Sequence, residues 1–422
     1  MKVLIKKATV LDSGSDYHNK VVDLLIENGQ IKRIAATIKE EADTVIKANG
    51  LCVSPGWVDI FADYREPGHE QNETIATGLN AAAAGGFTQV FTTPNTDPAV
   101  STKSIVEFLL KKAEGHIVGL RPLGSISKDV EGKVLSEMMD MQAHGAIAFS
   151  DGWAPVQNAN LMLKALEYVK AFDGTLIQIP MNASLTTGGL MHEGPVSTHL
   201  GMAGIPTLAE TLTLHRDIEL LRYTGSRLHV TGISSAESVA MIKAAKKEGL
   251  NITCSVTPYH LALTDESLRT YNSMYKVMPP LRSEGDRKAL VKGLAEGTID
   301  CIASHHRPQD WDAKTREFDY AADGMNVQEV TLGVALSGLK DKVTQERLVE
   351  ALAIQPRKIF GLATATIEKG ATAEITIFTT EGSEVFSSNT LRSAVKNNPY
   401  IGKELPGRVI GIINQQQVHI NN

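Results

Sequence analysis

The chain has 422 residues, with 42 Lys plus Arg against 48 Asp plus Glu for a net charge of −6, 42% hydrophobic residues and 12 His. These are the values of a folded globular protein and exclude a disordered, collagen-like or coiled-coil chain. The mild acidity gives no basic surface for nucleic acid or membrane, and no apolar run approaches the ~18 residues of a spanning helix.

The first sixteen residues, MKVLIKKATVLDSGSD, alternate like a strand and lack the apolar core of a signal segment. Cys52, Cys254 and Cys301 are widely spaced and form no CxxC. Neither a disulfide framework nor a structural zinc site is expected, and the protein reads as reduced and cytoplasmic. Residues 3–8, 22–27 and 30–34 are short strands separated by turn residues that include Asn28-Gly29. The tail repeats this character at 373–378, 408–413 and 417–420, so head and tail are expected to form one small β domain.

The middle of the chain has a different rhythm. Residues 57–63 are strand-like, 73–85 helical and 87–92 a strand. Further strands are expected near 117–123, 146–149, 175–179, 227–232, 251–256 and 298–304. Residues 206–224 and 235–248 repeat apolar side chains at helical spacing, the second with lysines near its end and Gly249 as its stop. Eight strands with crossovers long enough for parallel pairing, over about 300 residues, predict an α/β fold: a (β/α)8 TIM barrel over 55–364. The β-sandwich domain is composite, from 1–54 and 365–422. In such barrels the reactive groups sit at the C-terminal ends of the strands. Those ends carry Phe61 to Arg65, Pro94 to Thr96, Ser150 to Gly152, Ile179-Pro180, Gly232 to Ser234 and His305-His306.

The stretch PGWVDIFADYREPGHEQNETIATGLNAAAAGGFTQVFTTPNTDP resembles the opening of a dihydroorotase, of the type found in multifunctional complexes. The resemblance continues through GGLMHEG, AETLTLHRDIELLRYTGSRLHV, VTPYHLALTDESL, PPLRSEGDRKALVKGLAEGTIDCIA and RKIFGL, and so covers nearly the whole chain. It implies the metal-dependent hydrolase barrel of the amidohydrolase superfamily and zinc-dependent interconversion of N-carbamoyl-aspartate and dihydroorotate in pyrimidine biosynthesis.

The departures from that pattern fall at the metal. Where the family has His-x-His after strand one, this chain has Phe61 and Asp63. The ligand histidines after strands five and six align with Ile179 and Gly232, the catalytic aspartate after strand eight with His305, and the paired Asp after strand four with Asp151-Gly152. Phe, Ile and Gly have no donor side chain for zinc at ~2.0–2.2 Å. Without the metal a water is not acidified toward ~7, so no hydroxide nucleophile forms at neutral pH. No cofactor is therefore expected.

Arg65 and Asn95 align with the family's substrate-carboxylate contacts, as bidentate guanidinium chemistry suits. The alternative is that Arg65 ties the barrel mouth by a salt bridge and Asn95 caps a turn. A further substrate-contacting position is Met278, which donates no hydrogen bond. Asp63, Asp151, His305 and His306 suit zinc or manganese by type, and the alternative for them is a polar remnant bonded to itself and to water. His229, His260 and His192 read as core or loop residues, the methionines of 136–142 as helix core, and Lys243, Lys246 and Lys247 as a solvated helix end.

Three readings follow. The first is an inactive dihydroorotase-like protein that acts as a structural or regulatory partner of aspartate transcarbamoylase, the partner that the resemblance implies. The second is an active dihydroorotase whose zinc site is rebuilt on Asp63, Asp151 and His305. The third is a sensor that binds a pyrimidine intermediate through Arg65 and Asn95. A homo-oligomer is expected in each, with neither nucleic acid nor membrane as partner.

Overall fold

The computed structural model describes residues 1–340 and 342–421. Eight strands run in one uninterrupted parallel order: β1 (Trp57–Ala62), β2 (Phe87–Thr92), β3 (Gly119–Gly124), β4 (Ala148–Phe149), β5 (Leu176–Gln178), β6 (Leu228–Val230), β7 (Ile252–Val256) and β8 (Cys301–Ile302). A parallel bridge between Ala62 and His306 joins the first strand to the last. There the Asp63 amide donates to the His306 carbonyl at 2.8 Å. The strands are buried on both faces, as parallel strands covered by helices must be, and β1 and β2 are buried at every residue.

Helices return the chain between strands, and their ends follow local chemistry. Thr74 opens Ile75–Ala84 with a capping box, Ser235 caps Ala236–Lys247, and Ser283 caps Glu284–Ala295. Leu208–Thr224 stops at Gly225, whose φ of 60° is left-handed. Met138 and Met141 are buried on the helix Met138–Ala143. Four strands, β4, β5, β6 and β8, are two or more residues shorter than the sequence predicts. β8 spans two residues because side chains take the backbone before it: the Thr298 carbonyl accepts from Lys246 Nζ at 2.8 Å, and Asp300 accepts from the Cys254 amide at 2.8 Å. Lys246 is thereby not a solvated helix-end charge; it is ion-paired with Asp300 at 2.6 Å. Lys243 stays exposed, as expected of a solvated helix end, and pairs at the surface with Glu296 at 2.8 Å.

The second sheet is mixed and takes strands from both termini. Lys2–Val10, Val21–Glu27 and Gln30–Ala35 pair antiparallel in sequence, and Thr44–Ile46 lies parallel to the first of them. Leu51–Pro55, which the sequence reading passes over, joins Lys2–Val10 to Glu374–Val385 and so splices head to tail. Glu404–Asn414 and Gln417–Ile420 complete it. Its own core includes Val3, Ile5, Ile26, Val53, Ile375 and Ile413. Gly56 separates Leu51–Pro55 from β1. A Cβ there would lie 2.2 Å from Thr88 Oγ1, so the junction admits only glycine without a shift. Arg357 clamps the same junction, donating to the Gly56 carbonyl at 2.9 Å and pairing with Glu374 at 2.5 Å. All three cysteines are free and buried. No helix among the described residues is long and apolar enough to cross a membrane.

Candidate functional site at the barrel mouth

The C-terminal end of β1 places Phe61 and Asp63, both wholly buried, at the barrel mouth. Phe61 stacks on His305 with centroids 4.7 Å apart and planes tilted by 33°. Trp153, from the loop after β4, meets Phe61 edge-on at 5.2 Å and His305 edge-on at 5.5 Å. Three rings therefore occupy the region on which β1, β4 and β8 converge.

His305 is held in a polar chain on its other side. Its Nε2 lies 2.8 Å from Thr231 Oγ1, Thr231 lies 2.8 Å from Ser255 Oγ, and Ser255 lies 3.1 Å from His229 Nε2. His229 Nδ1 ends the chain on Thr253 Oγ1 at 2.8 Å. Burial, with His260, His229 and Arg307 nearby, pushes the His305 pKa well below its ordinary value, so the ring is neutral. Its Nδ1 is buried and has no partner. Burial likewise lowers His229 to about 3 and His260 to about 4. His260 is bonded to Thr257 Oγ1 and the Pro280 carbonyl.

Gly232 follows β6 with φ 71°, and a Cβ there would stand 2.6 Å from His305 Cε1. A histidine at 232 and the present His305 exclude each other. A second interlock lies beside it. Asn95 Nδ2 donates to the Asp151 carbonyl at 3.1 Å, and its Oδ1 accepts from the Trp153 amide at 3.0 Å. Gly152 has φ 58°, and a Cβ on it would lie 1.8 Å from Asn95 Oδ1.

The two carboxylates are occupied by the protein itself. Asp63 accepts from Trp153 Nε1 at 3.0 Å and from Arg65 Nη1 at 3.3 Å. Burial raises its pKa, against the opposing pull of Arg65 and Arg307. Asp151 accepts from the amides of Ile126 and Ser127 at 2.8 and 2.9 Å and from the Ser127 hydroxyl. Burial raises Asp151 to about 6 despite those bonds. His306 points elsewhere, to the buried Glu73 at 3.3 Å.

The structure thus brings Phe61, Asp63, Arg65 and His305 together with Trp153, and Asp151 with Asn95 one loop away. It does not bring Asp63, Asp151, His305 and His306 onto a common point. No group of three His, Cys, Asp or Glu among the described residues is placed to hold a metal. The residues present do not fit a zinc centre: Phe61, Ile179 and Gly232 carry no donor, and His305 Nε2 and both carboxylates are already bonded. Trp153 and Arg307 are the residues the sequence reading missed. Each stands two positions beyond a strand-end residue that it singled out, and the rule that strand ends face the mouth reaches them too.

The motifs kept outside this centre have a mechanical role. Glu210 and Arg282 form a wholly buried ion pair at 3.1 Å. Glu210 also accepts from the Ser234 and Ser235 amides at 2.9 and 3.2 Å, and Arg282 reaches Ser234 Oγ at 2.9 Å and His192 Nδ1 at 3.2 Å. Burial pushes the Glu210 carboxyl up, but Arg282 and the serine donors outweigh it and hold the carboxyl below its usual range. This cluster joins MHEG, AETL and PPLR into one support under the loops after β5, β6 and β7.

The comparisons with known proteins agree with this frame. The Dihydro-orotase-like family profile matches residues 50–238. A dihydroorotase of Syntrophus aciditrophicus is 40% identical over 422 residues, covering 99% of each chain. One of Acetivibrio thermocellus is 39% identical over 96% of each. Among solved structures, an L-hydantoinase from Arthrobacter aurescens superposes with a TM-score of 0.85 at 22% identity, covering 99% of this chain and 95% of that one. Dihydropyrimidinase from Brevibacillus agri gives 0.83 at 22%, over 100% and 95%. The hydantoinases carry the fold, a nearly closed parallel barrel with a separate sheet, and the full-length identity to the curated relatives carries the lineage: the chain belongs to the dihydroorotase family of the amidohydrolase superfamily.

Proposed function

We propose that this chain is a dihydroorotase-like protein of pyrimidine biosynthesis that lacks the metal-binding histidines, does not catalyse the family reaction, and acts as a structural or regulatory partner of aspartate transcarbamoylase in the cytoplasm. One observation supports the loss of activity above others: Phe61 puts hydrocarbon at a ligand-histidine position and is packed between Trp153 and His305, so no donor can stand there without displacing the rings. The active reading needs a metal on Asp63, Asp151 and His305, and those side chains are already bonded to Arg65 and Trp153, to Ser127 and Ile126, and to Thr231. The composite sheet, the Arg357 clamp and the Glu210–Arg282 support are those of a maintained scaffold, which suits a partner role.

Metal analysis of the purified chain together with a dihydroorotate hydrolysis assay tests the inactivity. We expect substoichiometric zinc and manganese and no turnover above buffer. Stoichiometric metal that disappears in His305→Ala, accompanied by turnover, would overturn the reading.

A further inference from the structure

A cavity of about 460 Å³ opens beside Trp153 at the barrel mouth. Trp153, Ile179, Met181 and Met278 give it apolar walls, and Arg307 is its one cationic lining residue. The Arg307 guanidinium lies 4.5 Å over the Trp153 ring. It makes no hydrogen bond or ion pair with any described side chain or carbonyl, and its Nε is buried without a partner. An arginine fork resting over an indole, half-buried and unbonded, is prepared for a planar anion that accepts two hydrogen bonds.

The acidic groups nearby are balanced by other cations. Glu131, which also lines the cavity, pairs with Lys133 at 3.0 Å. Asp323 faces Lys276 and Lys314 as well as Arg307. Asp63 pairs with Arg65. Asp323, which also lines the cavity, acts on Arg307 through space without forming an ion pair, so the guanidinium N–H groups stay open to a ligand. The backbone behind it is rigid: the Arg307 amide donates to Met325 at 3.0 Å, and Lys314 Nζ is caged by the carbonyls of Lys276, Ala322 and Gly324 at 3.4, 2.9 and 3.1 Å.

We propose that this cavity is a binding site for a small carboxylate on an apolar body, with Arg307 as the anion anchor, Trp153 as its platform, and Ile179, Met181 and Met278 receiving the hydrocarbon. The volume lies in the range of roughly 300–1,000 Å³ typical of small-molecule pockets. The ligand class follows from the walls: Trp153, Ile179, Met181 and Met278 offer one apolar side for hydrocarbon and Arg307 a cation for the anion, while Gln157, Asn158 and Thr186 line the rest. The site stands apart from the partner role, since it requires only the cavity and its arginine.

Isothermal titration calorimetry of the whole chain with 4-methylpentanoate, and with 4-methylpentanamide as the uncharged control, tests this. We expect saturable binding of the acid on the order of millimolar or tighter, and binding of the amide about tenfold weaker or worse. Arg307→Met should bring acid and amide to the same weak affinity. Ala183→Trp, a substitution at an exposed position of the cavity rim, should abolish binding of both while leaving the Arg307–Trp153 stack in place. Thermal unfolding of each variant shows whether it is folded; if Arg307→Met is not, the acid–amide comparison and Ala183→Trp decide. Equal binding of acid and amide, no saturable heat from the acid, or unchanged acid binding in a folded Arg307→Met overturns the proposal.

Discussion

Gly232 and His305 act as a pair. Placing histidine at 232 puts a side chain on a left-handed φ and brings its Cβ to 2.6 Å from the His305 ring. Gly232→His should therefore lose about 2–5 kcal/mol of stability by urea unfolding, from backbone strain and overpacking together. Gly232→His with His305→Asp should recover about 1–3 kcal/mol of that, because the ring is gone while the strain stays. Additive losses would show that the two sites are not coupled. Asp151 gives a pH signature. Its carboxyl rises from 3.8 unfolded to about 6 folded, so between these values the native state binds more protons than the unfolded one. The contribution is favourable below about pH 4 and is lost as pH rises to about 6. Asp151→Asn cannot titrate there. Relative to that variant, the parent should lose roughly 2–3 kcal/mol as pH goes from 4 to 7, read by urea unfolding at each pH. A flat difference would place the Asp151 pKa near its ordinary value.

At the scale of the elements, the loops after β5, β6 and β7 hang on one ion pair. Arg282→Met leaves Glu210 charged and wholly buried without its cation, and a loss of about 3–5 kcal/mol is expected. Arg282→Met with Glu210→Gln should lose less than Arg282→Met alone, since the stranded charge is removed. Faster limited proteolysis around residues 190 and 280 would accompany the single variant. Much of the fold was legible at this scale. The eight strand positions follow from apolar runs with β-branched and aromatic residues, and the long helices from their spacing and their glycine stops. Ends were less legible: β8 shrinks to two residues where Lys246 claims the Thr298 carbonyl and Asp300, and no local pattern announces a contact between residues about fifty apart. Leu51–Pro55 was missed because it runs into β1, and only the clash at Gly56 separates them. At the site, residue types told which donors are missing. They did not tell what replaced them, because the packing of Trp153 on Phe61 and the stacking of Arg307 on Trp153 join segments that are distant in the chain.

The whole molecule is a barrel closed at Ala62–His306 and a sheet spliced from both termini, held together at Gly56, Arg357 and Glu374. Much of what holds that frame lies away from the mouth: the apolar cores of barrel and sheet, the Arg357–Glu374 clamp and the Glu210–Arg282 pair. This is the property that a partner protein needs. Co-expression with aspartate transcarbamoylase should give a single co-eluting assembly with altered transcarbamoylase activity. Separate elution with unchanged activity would leave the partner role without support.

The two glycine interlocks bear on how such a protein changes over generations. With Gly152 set against Asn95 and Gly232 against His305, a single substitution at either glycine meets an atom already in place. A donor side chain after β6 escapes the clash only once His305 has changed, and one at Phe61 must displace the ring packed on Trp153. The order of substitutions therefore matters: a change at 305 opens 232, whereas the reverse order meets the ring. Such packing works as a latch that opens from one side.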